Sequence, residues 1–202
     1  MARSDKALRS FFGAREGGQD RPQSINTPRF LIDAILSVWP EGIELDPCSN
    51  ADSIVPARDR ICEPKEFGER SGLSEEWPDF AYANPPYGDF ETWLRKVSAP
   101  NEHLMLGPVR TNRAWFCVKA SEASRICYLK PFKFLGDWPS AFPASLAMFY
   151  YGQRIEAFDA AFYELGVLGK FIIYMKPNAQ LSMFDKPEPE GFYDPSTGEI
   201  YD

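Results

Sequence analysis

Apolar and polar positions along this chain switch repeatedly between a helical and a strand period. Phe30, Leu31, Ala34, Ile35 and Val38 recur at helical spacing, which predicts an amphipathic helix. Asn26-Thr27-Pro28 opens it, with Thr27 the expected N-cap and Pro28 the expected first helical residue, and Pro40 and Gly42 end it. Ile43 to Asp46 reads as a short strand running into Pro47-Cys48-Ser49-Asn50. Ile54-Val55 and Ile61-Cys62 read as two further short strands. The stretch Asp79 to Ala83 is a strand that ends in Asn84-Pro85-Pro86-Tyr87-Gly88. Asp89 is the expected cap of a second helix bearing Phe90, Trp93, Leu94 and Val97 on one face. A strand from His103 to Val109 completes a βαβ unit, for which a parallel, right-handed crossover is expected.

The same alternation continues. A helix is expected from Thr111 to Ala120, a strand over Ser124 to Leu129, and a long aromatic and basic loop over 130–144. A strong strand follows at Leu146 to Tyr151, then a helix from Arg154 to Leu165 and a last strand from Gly169 to Met175. Strands alternating with helices, with a hairpin-like element late in the chain, predict an α/β sheet with at least one antiparallel strand near its end. Residues 1–24 read as a flexible N-terminal arm, 25–176 as one domain, and 177–202 as an acidic, Pro-rich tail.

One stretch departs from pattern and points to chemistry. Two consecutive prolines after Asn84 cannot continue a ladder and fix the backbone. The turn therefore presents the Asn84 amide, the Pro85 carbonyl and the Tyr87 ring at the carboxyl end of a strand, where open α/β sheets bind their ligands. The amide oxygen and the carbonyl suit the two N–H bonds of an amino group on a planar molecule, and the ring suits its face. The same residues also read as a Pro-rich turn with a surface tyrosine. Asp46 likewise reads either as an acid at a strand end of the kind that holds nucleoside cofactors, or as an ordinary Asp-Pro turn.

Composition narrows the choice. At 44% hydrophobic and 15% aromatic, the 202 residues support a packed core. No stretch of about 18 apolar residues suggests a membrane span, and the N-terminus lacks a secretory h-region. The four cysteines form no CxxC pair and His103 is the one histidine, so no metal site is expected and a cytoplasmic protein with reduced thiols is the default. The net charge of −7 argues against non-specific coating of nucleic acid. The charge is polarised, however. Arg110, Arg113, Lys119, Arg125, Lys130 and Lys133 face a single acid, Glu122, between Leu104 and Leu135, whereas six acids follow Lys176.

In order along the chain, Thr27-Pro28, Leu45-Asp46-Pro47, Ser71-Gly72-Leu73 with Trp77, Asn84-Pro85-Pro86-Tyr87-Gly88, Thr111 to Phe116, and Phe132-Lys133-Phe134 with Ala141 to Ser145 resemble the phage-type DNA N-6-adenine methyltransferase family. The resemblance spans roughly Asn26 to Tyr174. It implies a Rossmann-like class I methyltransferase fold, with a mostly parallel seven-stranded sheet and one antiparallel strand near the end. It implies S-adenosyl-L-methionine as cofactor and DNA as partner, in a bacterial or phage-infected cell, with monomer the favoured state. Asn84, Pro85, Pro86 and Tyr87 would form the catalytic turn. Thr27, Pro28, Asp46, Pro47 and Cys48 would line the cofactor, with Glu63 or Glu66 toward its ribose. Arg110, Thr111, Arg113, Trp115, Lys130 and Lys133 would contact DNA, and Phe132, Phe134 and Trp138 would probe the duplex or pack. The chain departs from the family in lacking glycines after Asp46, in carrying Ser71 where relatives often have an acid, and in Asn112 where they often have Asp. Two other readings stand beside this one: transfer to a cytosine amino or glutamine amide group, and a catalytically degenerate DNA-binding or DNA-mimic protein.

Overall fold

The computed structural model describes residues 26–62, 70–98, 100–135 and 141–172, and the backbone of two short strands beyond them. Helix α1 (Arg29–Val38) buries Leu31, Ile32, Ala34, Ile35 and Val38, the face that the spacing predicts. Its start differs from expectation. Pro28 occupies the cap position, and its carbonyl accepts from the Leu31 and Ile32 amides at 3.0 and 3.3 Å. Thr27 does not cap, because its hydroxyl is engaged elsewhere. Gly42, at φ +99°, turns the chain into β1 (Ile43–Ser49), a conformation that only glycine adopts without strain.

β1 pairs in parallel with β2 (Ala57–Cys62) on one side and β3 (Ala81–Ala83) on the other. Its register on β2 slips between Asp46 and Ser49, where Pro47 offers no N–H to the ladder. β2 is one strand in place of the two short ones expected. It lies at the sheet edge with Arg58, Asp59 and Arg60 exposed, so charge rather than apolar alternation marks it.

β3 leads into a 3-10 turn (Tyr87–Asp89) and then α2 (Phe90–Leu94). Asp89 makes no side-chain cap. It belongs to the tight turn, and its amide donates to the Pro86 carbonyl at 3.3 Å. The helix stops short of Val97. β4 (His103–Pro108) returns parallel to β3, pairing Ala81 with His103 and Ala83 with Met105. A Cβ at Gly107 would overlap the Phe90 ring, so this glycine is what lets α2 lie directly on the sheet.

Next come α3 (Ala114–Glu122), β5 (Arg125–Leu129), β6 (Leu146–Tyr151), α4 (Ile155–Phe162) and β7 (Gly166–Gly169). The expected start of α3 at Thr111 is instead a turn closed by the Arg113 amide on the Arg110 carbonyl at 2.9 Å. The last sheet strand lies at Gly166–Gly169 rather than Gly169 to Met175; residues 170–172 are irregular and 173–175 lie outside the described residues. The sheet runs β2-β1-β3-β4-β6-β5-β7. β6 is antiparallel to both β4 and β5, and β7 is antiparallel to β5. Two strands, not one, are therefore reversed in a mixed seven-stranded α/β sheet compatible with a Rossmann-like fold.

Successive residues of the central strands go to opposite faces. Tyr82, Leu104, Leu106, Met148 and Tyr150 face α1 and α4, whereas Ala81, Ala83, Met105, Ala147 and Phe149 face α2 and α3. Both faces are covered, so these strands read as unbroken apolar runs. The amino end of the sheet is tied by Glu102, which accepts from Trp39 Nε1 at 3.2 Å, the Tyr150 hydroxyl at 2.5 Å and the Gln153 amide at 2.9 Å. The backbones of β8 (Phe192–Asp194) and β9 (Glu199–Tyr201) form an antiparallel ribbon within the segment read as an acidic, Pro-rich tail. The N-terminal arm and the rest of the tail, with Trp138, Glu63 and Glu66, lie outside the described residues.

Candidate active site

β1 and β3 lie side by side in mid-sheet; β1 runs on to Ser49, so Asp46 sits in mid-strand rather than at the strand end expected for it, one residue beyond the Leu45–Ala81 pair, while Asn84 follows the end of β3. Asn84 follows β3 directly, half-buried, with Pro85 buried and Pro86 exposed. Its Nδ2 donates to Thr27 Oγ1 at 3.3 Å, and its Oδ1 accepts from the Tyr87 hydroxyl at 3.1 Å. Thr27 Oγ1 also lies 2.7 Å from the Tyr82 hydroxyl. The segment before α1 is thus part of this site. Asn26 strengthens the link: its side chain accepts from Asn50 Nδ2 at 2.8 Å, and its carbonyl from the Leu135 amide at 3.0 Å.

Tyr87 does not offer an open face. Its ring is 2% exposed and meets Phe142, Phe90 and Phe134 with centroids 5.5, 6.2 and 6.5 Å away. Stacking on a base would require Phe142 and Phe134 to move off it. Burial pushes the phenols of Tyr82 and Tyr87 well above their usual 10, so both remain hydrogen-bond donors.

Asp46 is 4% exposed, and burial lifts its carboxyl to about 6, against the opposing pull of the Ser49 hydroxyl, the Cys48 amide and Arg60. The Cys48 amide donates to Asp46 Oδ1 at 3.3 Å. A carboxylate at this depth lacks solvation, and a cationic ligand would restore it. The turn at Ser71-Gly72-Leu73 lies against Pro47, inside β1. A Cβ at Gly72 would overlap the Pro47 carbonyl oxygen, and Trp77 Nε1 donates to the Gly72 carbonyl at 2.7 Å. Pro28 and Pro47 are buried and Cys48 is half-buried.

Of the basic residues, Arg110, Arg113, Lys130 and Lys133 follow the carboxyl ends of β4 and β5, whereas Lys119 pairs with Glu122 and Arg125 with Asp159 at the amino end, so the basic stretch of sequence does not form one face. Arg110 Nη2 donates to the Tyr87 carbonyl at 3.1 Å, bracing the Asn84–Tyr87 turn from just beyond β4; desolvation and the nearby Arg113 lower its pKa. Trp115 packs edge-on against Phe90 and Phe116. Lys130 Nζ donates to the Glu164 carbonyl at 2.8 Å. Thr111 and Lys133 are exposed and Arg113 is half-buried. A cavity of about 300 Å³ opens among Leu129, Lys130, Phe132, Phe142, Ser145 and Leu146. Phe132 and Phe142 are joined by a 3.0 Å backbone hydrogen bond, and Phe142 is shared between this cavity and the Tyr87 cluster.

Sequence reasoning missed Tyr82, Asn26 and Asn50. Tyr82 had a usable signal: a tyrosine between two alanines in a buried strand must find a partner for its hydroxyl. His103 begins β4 at the opposite end of the sheet, its Nε2 donating to the Pro78 carbonyl at 3.1 Å, and burial lowers its pKa. Among the described residues no three His, Cys, Asp or Glu side chains gather into a metal-binding group, and no helix is long and apolar enough to cross a membrane. Comparison with protein-family models, curated proteins and solved structures gives no match.

Proposed function

We propose that this chain transfers a methyl group from S-adenosyl-L-methionine to the exocyclic amino group of adenine in DNA, on a class I methyltransferase fold. The observation that carries the reading is the Asn84 amide, held between two hydroxyls at the carboxyl end of a central strand, one strand away from the buried acid Asp46. The reversed strand β6 between β4 and β5 supports the fold assignment, and the ordered motifs from Thr27 to Ser145 support the substrate.

The residues at β1 fit the cofactor. Asp46 is an under-solvated acid suited to a cationic ligand, and the glycine contact at Gly72 closes a turn over Pro47. Asp46, Pro47 and Cys48 would hold the cofactor, which when bound supplies an electrophilic methyl on a sulfonium. An aromatic amino nitrogen is a poor nucleophile because its lone pair is shared with the ring. The Asn84 amide oxygen and the Pro85 carbonyl would accept its two N–H bonds, drawing the lone pair out of the ring plane and fixing its direction. That is positioning plus electrostatics in a site largely shielded from water. Taking the base out of a duplex costs a few kcal/mol. Tyr87, once uncovered by Phe142 and Phe134, would offset part of that cost by stacking.

The test is DNA from cells expressing the protein, digested to nucleosides. N6-methyladenine is expected. Methylcytosine would move the substrate to the cytosine amino group, and unmodified nucleosides would count against DNA methylation altogether.

A further inference from the structure

Two phenols and a threonine surround the Asn84 amide, and burial dictates how their protons are arranged. Tyr82 is wholly buried, and its hydroxyl meets Thr27 Oγ1 at 2.7 Å. The Tyr87 hydroxyl meets Asn84 at 3.1 Å. A buried phenol must place its proton on an acceptor. Tyr87 therefore donates to Asn84, which requires the amide oxygen on that side and turns Nδ2 toward Thr27. Thr27 Oγ1 shares a hydrogen bond with the Tyr82 hydroxyl, and the same oxygen accepts from Asn84 Nδ2 at 3.3 Å. Thr27 is 3% exposed, so water does not compete for these bonds.

We propose that Thr27 and Tyr82 are positioning residues for Asn84, the Tyr82–Thr27 pair holding the amide in the one orientation that turns its oxygen to the substrate amino group. The inference rests on the amino-methyl transfer reading above and changes the part Thr27 plays in it. The family resemblance sets Thr27 beside the cofactor. The hydrogen bonds attach it to the substrate side, so its loss falls on the transfer step rather than on cofactor affinity. The pairing also explains a tyrosine between two alanines in β3. Alternation along the strand sends Tyr82 to the α1 face, which is where the segment preceding α1 delivers Thr27.

The experiment compares wild type with Tyr82→Phe, Thr27→Val and Thr27→Ser. Each is checked by thermal unfolding and assayed at saturating DNA and S-adenosyl-L-methionine. Tyr82→Phe and Thr27→Val are expected to lower kcat by about 10- to 100-fold, with the cofactor Kd from calorimetry held within about twofold. Thr27→Ser, which keeps the hydroxyl, is expected to stay near wild type. The Asn84 side-chain amide resonances are expected to shift in Tyr82→Phe, although Tyr82 bonds to Thr27 and not to Asn84. Weakened cofactor binding at unchanged kcat, or Asn84 resonances that do not move, overturns the proposal. A wild-type protein that transfers no methyl group overturns the reading of the reaction and with it the catalytic role; the resonances, which need no turnover, still decide whether the pair orients the amide.

Discussion

Replacing Asp46 by asparagine separates the stability of this fold from its function. The Asp46 carboxyl has a pKa of 3.8 when solvated and about 6 when folded, raised by burial. The folded state therefore holds its proton more tightly than the unfolded state. Between about pH 4 and pH 6 the unfolded chain binds fewer protons than the folded one, so stability falls as pH rises, and the loss is complete above pH 6. At about 1.4 kcal/mol per pH unit, the ionised carboxylate costs about 3 kcal/mol at pH 8. The amide introduced by Asp46→Asn would not ionise, and its oxygen would still accept from the Cys48 amide. The variant should therefore be more stable than wild type by about 2–3 kcal/mol at pH 8, or roughly 5–10 °C in Tm for a chain of this size. The advantage should shrink steadily and vanish near pH 4. The assay is urea unfolding of both proteins at several pH values between 4 and 8. Glu41, held at about 2 by Arg154, titrates identically in both and cancels in the difference. A variant that is equally or less stable at pH 8, or one whose advantage does not change with pH, refutes the reasoning. The same substitution should abolish the attraction for a cationic cofactor, so the variant gains stability while losing binding.

Other consequences follow from particular contacts. In wild type, S-adenosyl-L-methionine affinity measured by calorimetry should weaken as pH falls below about 6, where Asp46 takes up its proton; affinity that is flat from pH 5 to 8 would remove Asp46 from the cofactor. Gly72→Ala drives a methyl group into the Pro47 carbonyl, so the Ser71–Leu73 turn must shift, with a loss of about 1–3 kcal/mol and weakened cofactor binding. Glu102→Ala removes the shared acceptor of Trp39, Tyr150 and Gln153 and should cost about 3 kcal/mol in urea unfolding, with unchanged kcat in the folded protein because it lies at the far end of the sheet. Lys133→Ala, at an exposed position, should weaken DNA binding uniformly across sequences and reduce the salt slope by about 1.

Much of the architecture is legible in the sequence because its central strands are uninterrupted apolar runs between helices with one apolar face. Leu146 to Tyr151 is such a run, and it is a strand of the sheet. The strands the sequence misplaces are at the edges. β2 carries Arg58, Asp59 and Arg60, whose charges suit a solvent-facing rim and conceal its period. β7 is bracketed by Gly166 and Gly169 and has no apolar alternation to announce it. Helix starts also shift, because side chains that favour caps have stronger claims on them: Thr27 answers to Tyr82 and Asn84, not to the helix. At the site, Asn84 and Tyr87 can be picked out by residue type and position after a strand, and Asp46 by residue type, although its strand runs on to Ser49. The links among them run through Thr27 and Tyr82, 55 residues apart, and only the folded chain brings those together. The burial of Tyr87 under Phe134 and Phe142 is equally a product of tertiary packing.

The central claim is that Asn84 serves a methyl transfer to the adenine amino group. Its most direct test is labelled-methyl transfer from S-adenosyl-L-methionine to unmethylated DNA, by purified wild type and by Asn84→Ala, each shown to be folded. The account predicts label in N6-methyladenine with wild type and none above background with Asn84→Ala. Label in adenine at an undiminished rate with Asn84→Ala, or no label in DNA from the wild-type protein, would contradict it.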